Sequence, residues 1–272
     1  MRLLISILLL QMLSQFSYGQ GGDKEKKADV AKELERQFFK GYKLDKDFAF
    51  KFSTPFTEIN ISTVDGYQLN GLLFKVYHSK GLIFYLHGSN DALNVWGKIA
   101  PIYNDFDYDI FILDYRGYGK SGSIVTDERQ LSCDVQMAYN KLKENYDESR
   151  IVIIGQSMGT GPAAILACNN NPKAVILQAP YYSVSDWIYN LAPEINTSNL
   201  NFQFKTFEFL PKIKAPVTIF HGDSDDAIYY GSSKKLSAFF KKGDKLITLI
   251  GEGHNNFINN LEYLTKMKVI LQ

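Results

Sequence analysis

The sequence predicts an α/β protein built on a largely parallel sheet, with helices covering both faces. Short apolar runs recur along the chain from residue 82: Leu82–Leu86, Ile110–Leu113, Ile151–Ile154, Ala174–Leu177, Val217–Phe220 and Leu246–Ile250. These runs are apolar throughout rather than alternating, which is typical of strands buried on both faces. Helical patterns lie between them, such as Leu131, Val135, Ala138 and Leu142. Strands that alternate with helices favour a parallel sheet.

The sheet is expected to open with an antiparallel pair and the chain to end in a helix. Two extended stretches, Phe56–Thr63 and Tyr67–Tyr77, flank Val64-Asp65-Gly66. An Asp-Gly step between such stretches indicates a hairpin. The final helical pattern runs from about Asn256 to Ile270.

Length and composition fit one large soluble domain without a charged partner. The chain has 272 residues, of which 45% are hydrophobic and 22% charged, with a net charge of +1. No basic stripe accompanies that balance, so neither nucleic acid nor an anionic membrane surface is expected as a partner. Four His and two Cys are too dispersed for a metal site. We expect no metal and no cofactor, and the composition leaves the oligomeric state open.

The N-terminus has the pattern of a targeting segment. Arg2 precedes the apolar run Leu3–Leu13, and Ser17-Tyr18-Gly19 then supplies small residues for a signal peptidase. Residues 1–19 are therefore predicted to be a signal peptide, which makes the protein periplasmic or secreted with no stable membrane insertion after cleavage. The run is short for a membrane span, which needs about 20 residues. The alternatives are an uncleaved anchor and a buried first helix.

Between this segment and the main domain, residues 20–51 form a charged tether and a short helix. Val30, Leu34 and Phe38 mark one apolar face of that helix. The main domain is then assigned to residues 52–272. Cys133 and Cys168 both fall in helical patterns, and we favour two buried free thiols over a disulfide.

One connection in the predicted sheet is too long for a simple loop. The stretch between Ala179 and Ala215 is rich in aromatic residues, and a lid insertion at about residues 180–214 explains its length. Tyr181, Trp187 and Phe207 are predicted to line an apolar substrate pocket. The alternative is that these aromatic residues only attach the lid to the body.

The motif Gly155-Gln156-Ser157-Met158-Gly159 identifies a candidate nucleophile. It follows the predicted strand Ile151–Ile154 and opens the helical run from Thr160 to Cys168. In that context the turn from strand to helix lifts the serine hydroxyl to the carboxyl edge of the sheet. The glycines permit close approach of the backbone there. Ser157 is therefore the predicted nucleophile.

A serine hydroxyl needs a base, and position along the chain favours His254. His254 lies in a loop after the strand Leu246–Ile250, whereas His78 lies in a polar turn and His87 and His221 end strands. An acid must orient that base. The loop after Val217–Phe220 offers three candidates, which spacing alone does not separate: Asp223, Asp225 and Asp226. The chain order serine, aspartate, histidine is the one expected for this kind of site.

Two backbone amides are predicted to hold the oxyanion. The first is the amide of Met158, directly after the nucleophile. The second is the amide of Ser89, in the loop His87-Gly88-Ser89-Asn90 that follows the strand Leu82–Leu86.

With these motifs together, the sequence resembles the α/β-hydrolase superfamily. It is most similar to the serine-aminopeptidase-like branch, which includes monoacylglycerol lipases and acyl-protein thioesterases of the hydrolase-domain type. The matching pieces are His87-Gly88-Ser89-Asn90, Asp114-Tyr115-Arg116-Gly117-Tyr118-Gly119-Lys120-Ser121-Gly122, Gly155-Gln156-Ser157-Met158-Gly159, His221-Gly222-Asp223-Ser224-Asp225 and Gly253-His254. The resemblance implies the α/β-hydrolase fold with a short lid, Asp225 as the acid, and a structural role for Arg116. The family usually has Pro where this chain has Tyr229.

The resemblance implies hydrolysis of a carboxylic ester or thioester through an acyl-enzyme, with a small acyl compound as substrate. A serine aminopeptidase is an alternative, in which Glu194 or Glu208 would hold the free amine of the substrate. The other alternative is a catalytically inactive binding protein with the same fold.

Overall fold

A computed structural model describes residues 23–255 and 257–272 of the chain. The predicted signal peptide and the first residues of the tether lie outside the described residues. Within the described ranges, no helix is both long and apolar enough to cross a membrane.

Eight strands form one mixed sheet in the order β1-β2-β4-β3-β5-β6-β7-β8. Their bounds are β1 Phe56–Ser62, β2 Gln68–Phe74, β3 Leu82–Leu86, β4 Asp109–Leu113, β5 Ile151–Gln156, β6 Ala174–Gln178, β7 Val217–Gly222 and β8 Lys245–Leu249. The pairs β1/β2 and β2/β4 are antiparallel, and the other neighbours are parallel. The carboxyl ends of β3 to β8 therefore share one edge, where sites of α/β proteins form.

The predicted hairpin is confirmed. Residues pair from Phe56 with Phe74 to Ser62 with Gln68, so β1 and β2 run side by side over their full length. Gly66 closes the turn at a φ of 84°, a left-handed conformation that glycine adopts without steric cost.

The predicted parallel strands are also confirmed, since β3 to β8 pair in parallel. Their side chains alternate between two cores, one on each face of the sheet. Phe84 and Ile153 pack in the cluster on one face, and Tyr85 and Ile154 pack in the cluster on the other. All four side chains are fully buried. A strand buried on both faces has no polar side, which explains the continuous apolar runs.

Helices cover both faces of this sheet. In the part of the chain that is described, the α-helices are α1 Asp23–Phe38, α2 Leu93–Trp96, α3 Ala100–Asn104, α4 Glu128–Lys143, α5 Thr160–Cys168, α6 Val184–Leu191, α7 Thr206–Phe209, α8 Gly231–Ser237 and α9 Leu261–Ile270. The last helix begins later than its periodicity predicts, since the Asn260 side chain caps it by accepting the amide of Tyr263.

Helix α1 packs against residues 180–214, the predicted lid insertion, which is called the lid below. Its predicted apolar face is buried, and the ring centroids of Phe38 and Trp187 lie 4.4 Å apart. The buried Glu35 carboxylate accepts the backbone amide of Phe202 at 2.6 Å. Burial raises the pKa of Glu35, although the amides that it accepts oppose that rise.

The cysteines differ in part from the prediction. Both are free, but Cys133 is exposed and Cys168 is half-buried. Helix α4 buries the stripe that contains Leu131, Val135 and Ala138. Cys133 lies off that stripe, because two residues of helix turn a side chain by roughly 200°.

Candidate active site

The nucleophile candidate lies in a strained turn between β5 and α5. Ser157 has a φ of 50°, in the left-handed region that non-glycine residues avoid. That conformation costs about 1 to 2 kcal/mol. The serine follows the last residue of β5 and begins a short 3-10 turn that leads into α5. The strain is maintained by the packing on both sides of the turn.

The flanking glycines show why the turn needs this motif. A Cβ atom on Gly155 would lie 2.5 Å from the carbonyl oxygen of Gly159 and 2.7 Å from the Cβ of Ala163. A Cβ atom on Gly159 would lie 2.1 Å from the carbonyl oxygen of Leu86. Both contacts are sterically forbidden. Glycine at position 155 therefore lets β5 approach α5, and glycine at position 159 lets the turn approach the end of β3.

The structure brings the three predicted catalytic residues into one hydrogen-bonded line. His254 Nε2 lies 2.9 Å from Ser157 Oγ, and His254 Nδ1 lies 2.8 Å from Asp225 Oδ2. All three residues are buried. An ionised carboxylate only accepts, so Nδ1 carries the hydrogen and Nε2 is left to accept the serine hydroxyl.

Among the three aspartates of the loop after β7, only Asp225 contacts His254. Asp223 and Asp226 are exposed, and Asp223 accepts the amide of Gly251 instead. Asp225 Oδ1 accepts the amides of Ala227 and Ile228 at 2.8 and 2.9 Å. These amides anchor the carboxylate and leave its second oxygen facing the imidazole.

A fourth residue, His221, shares the Asp225 carboxylate. Its Nε2 lies 3.1 Å from Asp225 Oδ2, the same oxygen that His254 contacts. Burial alone would raise the pKa of Asp225, but the hydrogen bonds from His221 and His254 outweigh it and hold that pKa well below its usual range. From the sequence alone, His221 is recognised only as the end of a strand. Its position four residues before the acid was the available signal.

The loop after β3 runs directly against the nucleophile. A Cβ atom on Gly88 would lie 3.4 Å from Ser157 Cβ. His87 Nδ1 lies 2.7 Å from the Gly88 carbonyl oxygen. A trans peptide points its C=O and the next N–H in opposite directions, so this contact turns the Ser89 amide away from His87. Among the described residues, no acceptor takes the hydrogen of that amide.

His87 forms a second buried pair with an aspartate. Its Nε2 lies 3.1 Å from Asp114 Oδ1, and neither side chain has any exposed surface. Asp114 also accepts the amide of Leu93 at 3.2 Å. Burial raises the pKa of Asp114, and the hydrogen bonds from His87 and Leu93 only partly oppose that rise.

Arg116 braces the fold at a distance from the nucleophile. Its guanidinium donates to both oxygens of Asp134 on α4 and to both oxygens of Asp65 in the β1–β2 turn. These bonds match the structural role that the resemblance implies.

Two of the three predicted pocket residues hydrogen-bond to the loops that carry Ser157 and Asp225. The Tyr181 hydroxyl donates to the Met158 carbonyl at 3.1 Å, and Trp187 Nε1 donates to the Ala227 carbonyl at 3.0 Å. Both side chains are almost fully buried, which leaves little surface for a ligand in this conformation. The half-buried Phe207 stacks on Tyr182 at 4.4 Å. Their contact with a substrate stays a prediction.

Tyr229, which stands where the resembled family usually has Pro, links the acid loop to the lid. Its hydroxyl donates to Asp186 on α6 at 2.8 Å. Lys235 on α8 contacts the other oxygen of Asp186. The departure from the family pattern thus adds a polar connection and leaves Asp225 in place. No group of three or more potential metal ligands is found within the described residues.

Comparisons with known proteins agree with this architecture. A family profile described as serine aminopeptidase, S33, matches residues 77–209. The human alpha/beta hydrolase domain-containing protein 17B is 28% identical over 197 residues, which cover 70% of this chain and 66% of that protein. An uncharacterised protein of Mycobacterium tuberculosis is 25% identical over 206 residues, covering 73% of this chain and 72% of the relative.

Solved structures share the fold at low sequence identity. A Pyrococcus furiosus esterase, Pf2001, superposes with a TM-score of 0.69 at 18% identity, covering 86% of this chain and 97% of its own. The Est1E protein of Butyrivibrio proteoclasticus, solved with ferulic acid bound, has a TM-score of 0.61 at 20% identity and covers 78% of this chain and 96% of its own.

Proposed function

We propose that this chain, a hydrolase of the α/β-hydrolase superfamily, cleaves a carboxylic ester or thioester through an acyl-enzyme formed on Ser157. The observation that carries the proposal is the line of hydrogen bonds from Ser157 through His254 to Asp225. In that line each polar atom has the partner that nucleophilic catalysis by serine requires.

The first half of the reaction acylates the serine. Ser157 Oγ attacks the carbonyl carbon while His254 Nε2, 2.9 Å away, takes the hydroxyl proton. The imidazolium that forms is stabilised by Asp225, whose low pKa keeps the carboxylate ionised. Collapse of the tetrahedral intermediate passes the proton from His254 to the leaving alcohol or thiol. General base catalysis of this kind contributes roughly 10² to 10⁴ in rate.

The second half releases the acyl group. Water attacks the acyl-enzyme carbonyl, His254 takes a proton from that water, and the same proton returns to Ser157 Oγ as the acid leaves. In both halves the amides of Met158 and Ser89 are proposed to hold the oxyanion. Ser89 suits this role because its amide lies beside Gly88, which closely approaches the nucleophile. Removal of one such donor typically costs about 10² to 10³ in turnover.

The surroundings favour an ester over a peptide with a free amino terminus. Recognition of that amine would need a carboxylate held inside the site. Glu194 and Glu208 are both exposed, and Glu208 pairs with Lys205 at 3.1 Å. An inactive binding protein is disfavoured because all three catalytic side chains are present in hydrogen-bonding geometry.

A fluorophosphonate probe and a substrate panel test this proposal together. The probe is expected to add once, at Ser157, with p-nitrophenyl esters hydrolysed faster than aminoacyl-anilides. Ser157→Ala should abolish labelling and turnover. Ser224→Ala, in an exposed serine of the acid loop, is the matched control and should change neither. Intact mass, peptide mapping and initial rates report the result. Labelling of another serine would refute the nucleophile, and a preference for anilides would replace esterase by peptidase.

A further inference from the structure

A groove separate from the catalytic residues lies between helix α1, the loop after β4 and the lid. Its volume is about 680 Å³, within the range of about 300 to 1,000 Å³ for small-molecule sites. Its lining includes Phe39, Val125 and Phe202 on the floor and Lys32, Lys40 and Lys43 on the rim. Neither the three catalytic residues nor the two oxyanion residues belong to this lining.

The floor of the groove is apolar. Phe39 of α1 stacks on Phe202 of the lid with ring centroids 3.9 Å apart. Val125 packs beside them at the edge of the main core, and Ile124 is 60% exposed. Apolar surface of this kind gains free energy when an alkyl chain displaces its water.

The rim of the groove is positive, and its exposed lysines are held in no direct ion pair by the described residues. Arg36 pairs with Glu33, and Arg116 is occupied by Asp65 and Asp134. The carboxylate of Glu35 is engaged by the Phe202 amide. Three exposed lysines of the lining, Lys32, Lys40 and Lys43, make no ion pair with any described residue. Glu35 attracts Lys32 and Glu33 attracts Lys40 over a longer distance than an ion pair. An anionic group at this rim would therefore meet lysine cations without having to break a direct ion pair.

We propose that this groove binds a long-chain fatty-acid carboxylate, with its alkyl chain on the aromatic floor and its carboxylate against the lysines. A single chain suits the volume, and the charge of the rim selects an acid over a neutral lipid. The chain's own N-terminal segment fits less well, because residues 1–22 contain Arg2 and no acidic residue, so that the rim would repel it. The proposal does not depend on the ester chemistry at Ser157.

Calorimetric titration of the full chain with dodecanoate tests the site. 1-Dodecanol, which has the alkyl chain without the charge, and acetate, which has the charge without the chain, serve as comparison ligands. Dodecanoate is expected to bind at least tenfold more tightly than either. The paired change Lys40→Glu and Lys43→Glu should weaken dodecanoate at least tenfold. The matched change Lys46→Glu and Lys51→Glu, on exposed lysines outside the lining, should alter it less than twofold. Equal binding of dodecanol, or indifference to the first pair, would overturn the proposal.

Photolabelling separates this site from the catalytic one. A dodecanoate that carries a diazirine near the end of its chain is expected to label peptides containing Phe39, Val125 or Phe202. Prior reaction of the protein with a fluorophosphonate should leave that labelling unchanged. Labelling confined to peptides around Ser157, or lost after the fluorophosphonate, would place the fatty acid in the active site and refute a second one.

Discussion

The pair of His254 and Asp225 and the pair of His87 and Asp114 are both buried at the carboxyl edge of the sheet. They differ in the contact of the far ring nitrogen, the one that faces away from the aspartate. In the pair of His254 and Asp225 that nitrogen lies 2.9 Å from the Ser157 hydroxyl. In the pair of His87 and Asp114 it lies 2.7 Å from the Gly88 carbonyl oxygen. A hydroxyl can donate to an imidazole, whereas a carbonyl only accepts from it. The first ring can therefore act as a base, while the second must keep a hydrogen on its far nitrogen.

The pKa values of the two carboxylates are shifted in opposite directions, although both carboxylates are buried. Asp225 accepts two backbone amides and two imidazoles, and its pKa is lowered despite burial. Among the described residues, the Asp114 carboxylate hydrogen-bonds to His87 and the Leu93 amide alone, and burial raises its pKa. A histidine beside a buried acid is therefore no sign of catalysis by itself. The other neighbours decide which atom holds the proton.

The largest expected effect comes from making the same substitution in both pairs. Asp225→Asn should lower kcat by about 10⁴, because an amide facing His254 Nδ1 favours the tautomer that leaves Nε2 unable to accept the serine proton. Asp114→Asn should lower kcat less than tenfold. There the new amide donates to His87 Nε2, and Nδ1 keeps the hydrogen that contacts Gly88. Steady-state rates on one ester give both numbers.

Two nearby aspartates serve as controls for this comparison. Asp223→Asn and Asp226→Asn change exposed carboxylates of the acid loop and should each cost less than threefold in kcat, about the effect of an ordinary surface change. If Asp226→Asn were the damaging substitution, the acid would be assigned to the wrong residue. If Asp114→Asn matched Asp225→Asn, the contrast between the two pairs would be lost.

A smaller effect is expected in the pH dependence of stability, with opposite signs at the two carboxylates. The pKa of an aspartate in the unfolded chain is about 3.9. The pKa of Asp225 is lower in the folded state, so its contribution to stability is fully present above about 3.9, the unfolded value. That contribution is lost as the pH falls through the folded pKa. Asp114 has a raised folded pKa, so its contribution is present below about 3.9 and is lost as the pH rises through the folded pKa.

Urea unfolding of the wild type and the two Asn variants between about pH 3 and 7 measures this difference. The stability advantage of the wild type over Asp225→Asn should grow with pH. Its advantage over Asp114→Asn should shrink with pH. Parallel curves for the two variants would contradict the assignment of different protonation behaviour to the two pairs.

Much of this architecture could be predicted because the relevant signals are local. Strands covered on both faces need continuous apolar runs, so the parallel strands from β3 to β8 are predicted to within two residues at each end. The turn at Ser157 leaves a local signal too, since only glycine fits at Gly155 and Gly159. His254 could be proposed because it lies in a loop after a strand, whereas the other three histidines lie in a polar turn or end strands.

What could not be predicted depends on contacts between distant parts of the chain. Spacing did not separate the three aspartates, because only the packing of the acid loop turns Asp225 inward. The burial of Trp187 depends on Phe38, which lies almost 150 residues earlier in the chain. Neither the charged residues of α1 nor the spacing of its apolar residues indicated that this helix would pack on the lid.

His221 shares a feature with each pair: it is fully buried like His87, and it contacts the Asp225 carboxylate like His254. Its Nε2 lies between two acceptors, Asp225 Oδ2 at 3.1 Å and the Ile228 carbonyl at 2.9 Å. That nitrogen must therefore carry a hydrogen. Nδ1 lies 2.6 Å from Ser233 Oγ, a hydroxyl that can donate. A neutral ring with its hydrogen on Nε2 satisfies every contact.

The smallest expected effect is therefore a shift of the pH profile when this donor is removed. His221→Ala should raise the pKa of Asp225 and concentrate its negative charge on His254, whose imidazolium becomes more stable. The acid limb of kcat/KM should move to higher pH by a few tenths of a unit, and kcat should fall roughly tenfold or less. His221→Gln, whose amide can place a donor near the same oxygen, should restore most of the profile. If both variants lost stability equally and left the profile unmoved, His221 would only fill space beside the acid.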